Sequence, residues 1–151
     1  MSLSTDLLWE VTRNNSAFLV NRRTGGGARF SRDPLNLTNV YSRKYEGSIN
    51  EKAFGVQPAA EGGVEVSVKK AGKANKPASA LQTSTIGKGK STRKTYQSIV
   101  NSTTKRHYRP DLRAEAVARA SAIRQSQRPK KATPERKLRG RKAEKAAEVE
   151  A

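Results

Sequence analysis

The segment TIGKGKS, residues 85–91, contains residue types with which many nucleotide-binding proteins hold phosphate. Gly89, Lys90 and Ser91 match the last three positions of the P-loop pattern, in which backbone N–H groups and a lysine bind phosphate. Ser84 stands where the pattern requires its first glycine, and the preceding ASALQTS is not the continuous apolar strand that presents such a loop. We therefore predict a flexible basic linker here and no nucleotide site.

Residue sets for catalysis or metal binding are not found in the sequence. His107 is the only histidine, and its neighbour Arg106 disfavours both a protonated and a metal-bound imidazole. The chain has no cysteine, which excludes disulfides and thiolate metal sites and fits a reducing compartment. No paired carboxylates lie in a recognisable catalytic context. We predict no enzyme, no cofactor, no metal and no small-molecule substrate.

Positive charge is the main chemical feature of the chain, and its distribution is uneven. The 151 residues include 31 Lys and Arg against 13 Asp and Glu, a formal charge of +18. Residues 1–68 contain 8 basic and 7 acidic residues, residues 69–142 contain 22 and 3, and the last nine sum to −2. Such a charge strains a compact chain by self-repulsion unless a polyanion neutralises it. We therefore predict a polyanionic partner, and we favour RNA.

The candidate RNA-binding residues are the basic side chains of residues 69–142, together with Tyr108 among them. They are Lys69, Lys70, Lys73, Lys76, Lys88, Lys90, Arg93, Lys94, Lys105, Arg106, Tyr108, Arg109, Arg113, Arg119, Arg124, Arg128, Lys130, Lys131, Arg136, Lys137, Arg139, Arg141 and Lys142. The run RKLRGRK, residues 136–142, has five positive charges in seven residues, a pattern typical of nucleic-acid contact or nuclear import.

The nearly neutral front half has the patterns of a helix and an antiparallel sheet. LLWEV predicts a short helix capped by Ser4 or Thr5, with Leu7, Leu8 and Val11 on one side. AFLV, residues 17–20, suits a buried strand, and a glycine-rich flexible loop follows it. GVEVSVK alternates apolar and polar residues as a half-buried strand does, and KAFGVQP, residues 52–58, should pair with it across AAEGG.

The rear half has helical patterns between polar segments. Residues 70–91 have almost no large apolar groups, so on their own they should be disordered. Residues 92–106 predict a helix with Tyr96, Ile99, Val100 and Thr103 roughly on one side. The segment 108–129 predicts a stronger helix, which Pro129 ends. Its apolar stripe consists of Leu112, Ala116, Ala120 and Ile123. Glu115 should form an ion pair with Arg119 one turn later. The arginine side consists of Arg113, Arg124 and Arg128.

These patterns predict an α+β protein in four parts. A small helix-plus-antiparallel-sheet domain takes residues 1–69, and an extended basic linker takes residues 70–91. A helical RNA-contacting segment follows at 92–129, and a basic extended tail with an acidic end occupies 130–151. The longest unbroken apolar run is AFLV, so we expect neither a signal peptide nor a membrane span.

The residues also resemble a known family, the eukaryote-specific large-subunit ribosomal protein conventionally numbered twenty-eight, which differs from the bacterial protein of that number. In the front half the resemblance rests on Trp9, Val11, Arg13, Asn14, Ser16, Phe18, Leu19, Gly55, Val56, Pro58, Ala59 and Ala60. In the rear half it rests on YRPDLR at 108–113, RASAI at 119–123, Ser126, Gln127 and Pro129. The TGGGAR loop and the acidic KAAEVEA end depart from the family.

That resemblance implies a structural protein of the cytoplasmic ribosome that passes through the nucleus and nucleolus during assembly. It implies a small α+β domain with a long RNA-associated extension, no catalysis, and neighbouring large-subunit proteins as partners. A nucleolar ribosome-assembly factor of the Mak16 type is the nearest alternative, although such factors carry cysteines and long acidic segments. A DNA-compacting basic protein is a third possibility, but it would need no neutral, strand-containing front half. A membrane-surface binder fits least, since the basic helix lacks bulky apolar residues.

Overall fold

The computed structural model describes residues 3–24, 26–73, 76–134, 137 and 139–141. Within these ranges the chain forms three α-helices and two small antiparallel sheets, which confirms the predicted α+β class. The helices are α1 (Thr5–Thr12), α2 (Thr92–Thr103) and α3 (Arg113–Ser126). The strands are β1 (Leu19–Asn21), β2 (Arg29–Ser31), β3 (Phe54–Pro58), β4 (Gly63–Lys69) and β5 (Leu81–Gly87), and 3₁₀ turns span Pro77–Ser79 and Pro110–Leu112.

Helix α1 confirms the prediction from LLWEV, but a different side of it contacts the protein. It begins after Ser4, and the ring of Trp9 lies 5.2 Å from that of Tyr41. Arg43 donates hydrogen bonds to Thr5 and Asp6 at 2.9 Å each, which fixes the first turn. Leu7 and Val11 share a side as expected, yet they are 55% and 70% exposed. The aromatic contact and Arg43 therefore hold α1, while Leu7 and Val11 of its apolar side face outward and Leu8 is half-buried.

Strand β1 forms a hairpin with β2 across the glycine-rich loop. Leu19 lies opposite Ser31 and Asn21 opposite Arg29. Compared with the predicted strand at AFLV, β1 starts two residues later and ends one residue later, and its Leu19 and Val20 are half-buried instead of buried. A sheet of two strands gives its residues few neighbours, so this difference follows from the size of the sheet.

The hairpin of β3 and β4 is present as predicted. Val56 lies opposite Val66, and both are fully buried. The turn ends at Gly63, whose φ of +98° lies in the left-handed region. A Cβ at Gly63 would also collide with the carbonyl oxygen of Ile86. Glycine is therefore required where β3 turns into β4 beside β5.

Strand β5 lies within residues 70–91, where we expected an extended linker. It pairs with β4 along seven residues, from Gly63 opposite Gly87 to Lys69 opposite Leu81. Only Ile86 of this strand is buried. The ladder to β4 stabilises the strand although only one of its side chains is buried, so apolar alternation in the sequence gives no signal for it.

The hydrophobic core combines residues from both halves of the chain. The α3 residues Ala116 and Ala120 are fully buried against the sheet, and Leu112 is 4% exposed. Ile99 of α2 joins the same cluster. The sequence predicts a small helix-plus-sheet domain for residues 1–69. A two-stranded hairpin exposes its apolar face unless another layer covers it, and α2 and α3 supply that layer.

An irregular segment, residues 32–53, contacts β3, where Gln57 donates to the carbonyl of Pro34 at 3.2 Å, and has a polar interior. Buried Asn36 accepts hydrogen bonds from the backbone N–H groups of Thr38 and Asn39 and donates to Val40. Asp33, also buried, accepts from the N–H of Gly47 at 2.8 Å. These side chains replace regular backbone pairing, which explains why the segment has no apolar periodicity to detect.

Candidate nucleic-acid interface

Five of the 23 candidate residues direct their polar atoms into the protein, beginning with Lys69 at the end of β4. Its ammonium donates to the carbonyl oxygens of Gly47, Ser48 and Asn50 at 3.0–3.2 Å. Burial lowers the pKa of Lys69, although nearby Asp33 opposes that change. These hydrogen bonds of Lys69 attach residues 47–50 to the sheet.

Tyr108 and Arg109 connect the chain before α3 to the same region. The Tyr108 hydroxyl donates to the carbonyl of Lys69 and accepts from the N–H of Ala53 at 3.1 Å. Burial raises the pKa of Tyr108. Arg109 donates to Asp111 at 2.8 Å and to the carbonyl of Lys52 at 2.9 Å. The hydrogen bonds between Arg109 and Asp111 raise the pKa of the guanidinium and lower the pKa of the carboxyl.

Arg119 binds backbone beneath α3 and does not pair with Glu115, so the predicted ion pair is wrong. Arg119 donates to the carbonyl of Val56 at 2.7 Å and to that of Leu37 at 3.2 Å. Burial lowers the pKa of Arg119, which still remains protonated because arginine titrates far above neutrality. Glu115 instead accepts from Lys44 at 3.2 Å and from the Tyr45 hydroxyl at 3.0 Å.

Arg124 differs in its contacts from Arg113 and Arg128, the two arginines with which we expected it to face phosphate. It donates to the carbonyl of Lys88 at 3.1 Å and to that of Lys90 at 2.8 Å. Arg113 and Arg128, in contrast, are exposed. The arginine side of α3 thus consists of two exposed cations and one that holds the β5–α2 loop.

Most other candidate residues are exposed, and Lys70 is half-buried. The exposed residues are Lys73, Lys76, Lys88, Lys90, Arg93, Lys94, Lys105, Arg106, Arg113, Arg128, Lys130, Lys131, Lys137, Arg139 and Arg141. Arg136 and Lys142 lie outside the described residues. The described part of the chain has four ion pairs, and none of them includes an exposed candidate residue. Their charges are therefore not neutralised by carboxylates of that part.

One reason for predicting no P-loop was that ASALQTS does not have the pattern of the strand that presents such a loop. In the structure, however, the GKGKS loop has a strand before it and a helix after it. Strand β5 ends at Gly87, and α2 begins at Thr92 after its cap Ser91, which accepts from the N–H of Lys94 at 3.4 Å. Ser84, however, lies within β5, so only residues 88–91 form the loop. Four residues are too few for the cradle that a P-loop builds.

The described residues contain no cluster of acidic or histidine side chains that could hold a metal ion. His107 is exposed, and its φ of +52° places it in a turn between α2 and α3. As far as the described residues extend, none of the helices has the length and apolar character to cross a bilayer.

Gln127 is a structural residue. Its contact was not predicted from sequence patterns. Its side-chain amide donates to the carbonyl of Gly63 at 2.8 Å and accepts from the N–H of Gly63 at 2.9 Å. This pair of bonds attaches the end of α3 to the β3–β4 turn. The only signal for it was the resemblance, which includes Gln127, because an amide after a helix has no distinctive spacing.

Comparison with known proteins gives consistent matches. The model of the Ribosomal L28e protein family matches residues 7–126. Large ribosomal subunit protein eL28 of Schizosaccharomyces pombe is 45% identical over 132 residues, 87% of this chain and 98% of that protein. The protein of the same name from Dictyostelium discoideum is 34% identical over 137 residues, 91% of this chain and 98% of its own length. The one from Caenorhabditis elegans is 48% identical over 86 residues, 57% of this chain and 65% of that protein.

Proposed function

Because the chain belongs to the Ribosomal L28e protein family, we propose that it is a structural constituent of the large subunit of the eukaryotic cytoplasmic ribosome. It binds and stabilises large-subunit ribosomal RNA through the basic rear half and contacts neighbouring ribosomal proteins. It performs no catalysis and needs no cofactor. It reaches the cytoplasm as part of the subunit, after passing through the nucleus and nucleolus.

One observation carries the RNA-binding part of this proposal. The rear half combines 15 exposed basic candidate residues with four others, Lys69, Arg109, Arg119 and Arg124, whose donors hold the fold. A solvated charged surface usually carries both signs, whereas here residues 69–142 have 22 basic and 3 acidic residues. Phosphate neutralisation offsets this repulsion and releases counterions, which favours a nucleic-acid partner.

The folded part also supports a structural role over a charge-neutralising one. Arg119 and Gln127 fix α3 on the sheet, and Arg124 holds the β5–α2 loop, so the exposed cations of both keep set positions. Such preset positions suit a single RNA surface of defined shape, because Lys and Arg contacts to phosphate determine register and orientation. Neutralising DNA charge alone does not require such fixed positions.

The test is the distribution of the tagged full-length protein in eukaryotic cells. We expect it to co-sediment with mature large subunits and polysomes in the cytoplasm. Confinement to nucleolar precursor particles would instead indicate an assembly factor, and recovery with chromatin would indicate DNA binding. Either of those distributions would overturn the proposal.

A further inference from the structure

One end of the folded body gathers the β5–α2 loop, the start of α2 and the end of α3. Gly63 lies opposite Gly87 in the sheet, and Gln127 binds both backbone groups of Gly63. The opposite end is marked by Lys69, whose carbonyl accepts from Tyr108 before α3 begins. Helix α3 therefore runs from the Lys69 end to the Gly63 end, where the β5–α2 loop also lies.

We call residues 87–94 and 124–131 the loop end. It contains eight basic residues and no acidic one: Lys88, Lys90, Arg93, Lys94, Arg124, Arg128, Lys130 and Lys131. All of them except Arg124 are exposed. The adjoining turn adds one exposed carboxylate, Glu61. The loop end is thus a concentrated positive surface on a folded support.

The other end of the sheet, residues 70–73, 76 and 104–111, is called the far end. It has exposed lysines too, but acidic residues accompany its cations. Arg109 pairs with Asp111, and Lys44 pairs with Glu115 close by. Its exposed cations are four, Lys73, Lys76, Lys105 and Arg106, against seven at the loop end, so its positive charge is less concentrated.

Arg124 is the residue that gives the loop end its shape. Its two hydrogen bonds to the Lys88 and Lys90 carbonyls hold both ends of a three-residue stretch that contains Gly89. A glycine between two lysines leaves the loop backbone free to rotate unless something restrains it. A planar guanidinium can bind two carbonyls at once, which a lysine ammonium on a flexible stem does poorly.

Resting on the proposed function, we propose that the loop end is the main surface by which this protein binds the sugar–phosphate backbone of RNA. Arg124 acts as a positioning residue that presents Lys88 and Lys90. Lysine and arginine side chains here contact phosphate and not base edges, so binding depends on RNA shape and salt more than on sequence.

The first test compares two matched triple variants of the full-length protein. Lys88→Ala/Lys90→Ala/Arg128→Ala removes three exposed charges from the loop end, and Lys73→Ala/Lys76→Ala/Lys105→Ala removes three from the far end. The probe is deproteinised large-subunit ribosomal RNA, titrated at several salt concentrations. The loop-end variant should lower the slope of log K against log salt by about 2 to 3, and the far-end variant by less than about 1.

The second test isolates the positioning role of Arg124. Arg124→Lys keeps the charge but loses the paired carbonyl contact, so it should weaken RNA binding several-fold in the wild-type background. In a Lys88→Ala/Lys90→Ala background the same change should have no further effect, because the side chains it positions are gone. Equal losses in both backgrounds would show that Arg124 does not act through these lysines.

The results separate this inference from the proposed function. Equal slopes for the two triple variants, or a larger loss at the far end, would overturn the loop end as the main surface. Wild-type protein that enters large subunits in cells would still support the proposed function in that case. No loss in either triple variant also overturns the inference. Circular dichroism melting of each variant checks that the protein remains folded.

Discussion

At the residue scale, the basic side chains of the rear half differ in what their nitrogen atoms bind. Arg119 donates to the Val56 and Leu37 carbonyls, and Lys69 donates to three carbonyls of residues 47–50. Arg113, by contrast, is exposed on the same helix as Arg119. A cation that binds backbone carbonyls supports the fold, and its loss leaves buried acceptors unpaired.

The difference between Arg119 and Arg113 can be measured with matched substitutions. Arg119→Met keeps an unbranched stem but removes the donors, so we expect the free energy of unfolding to fall by about 1 to 3 kcal/mol. Arg113→Met removes the same charge at an exposed site and should change it by less than about 0.5 kcal/mol. Urea denaturation of the full-length protein gives both values. Similar losses for the two variants would contradict the assigned role of Arg119.

Glu46 is a second residue with a testable effect, because its carboxyl is buried. Its Oε1 accepts from the Ser48 hydroxyl at 2.9 Å, while Oε2 has no hydrogen-bond partner among the described residues. Burial raises the pKa of Glu46, and Asp33 adds to the increase. The folded state therefore binds this proton more tightly than the unfolded state. The resulting stability is complete below the unfolded pKa of about 4.3 and is lost as pH rises through the higher folded pKa.

From that sign we expect Glu46→Gln to raise the melting temperature at pH 7, since it removes a buried charge. The gain over wild type should shrink as pH falls toward 4, where the wild-type carboxyl takes up its proton. Glu61→Gln is the control, because it removes the same charge from an exposed site. A melting temperature at pH 7 below that of the Glu61→Gln variant would show that the Glu46 carboxylate stabilises the fold.

At the scale of elements, α3 covers the sheet with small residues and binds it at both ends. Ala116 and Ala120 let the helix lie close to Val56, Val64 and Val66. Larger contacts come from Leu112 at the start of the helix, which is buried, and from Ile123 near its end, which is half-buried. The helix is thus a structural layer of the core as well as a carrier of exposed arginines.

The two larger residues should differ in how much they stabilise the fold. Leu112→Ala removes a buried side chain and should lower the free energy of unfolding by about 2 to 5 kcal/mol. Ile123→Ala should cost less, because part of its surface is already in water. Thermal or urea denaturation of the full-length protein measures both. A smaller loss for Leu112→Ala than for Ile123→Ala would contradict the packing of α3 described here.

Elements with their own periodicity could be predicted from the sequence, and elements that depend on a neighbour could not. Val64, Val66 and Val68 alternate, so β4 was found with its bounds, and β3 and the helices followed from similar patterns. Strand β5 has the composition of a linker and forms a strand because its backbone pairs with the edge of β4. The irregular segment 32–53 had no signal either, since side-chain hydrogen bonds such as those of Asn36 hold it.

The candidate site was predictable as a set of charges but not as a surface. Composition identified the basic rear half, and spacing placed Arg113, Arg124 and Arg128 on one side of a helix. Which cation binds backbone depends on contacts between residues far apart in sequence, as with Arg124 and Lys88. Residue type alone gives no indication of such a contact, because arginine suits both phosphate and carbonyl oxygen.

At the scale of the whole molecule, charge and fold divide the chain differently. The core uses both halves and extends to Ala120, whereas positive charge continues through residues 130–142, with seven basic residues and one acidic. Described tail residues such as Lys130 and Lys131 are exposed. Stability and RNA affinity should therefore be separable by removing the tail.

Deletion of residues 130–151 should leave the melting temperature unchanged, because α3 and Gln127 with its contacts to Gly63 remain. Affinity for ribosomal RNA should fall, and the slope of log K against log salt should decrease by about 2 to 4, because each lost phosphate contact contributes about 0.7 to 0.9. Deletion of residues 143–151 is the control: it removes a net charge of −2, so affinity should hold or rise. An unchanged slope after the longer deletion would show that the tail does not neutralise phosphate. A lower melting temperature would show that the tail supports the fold.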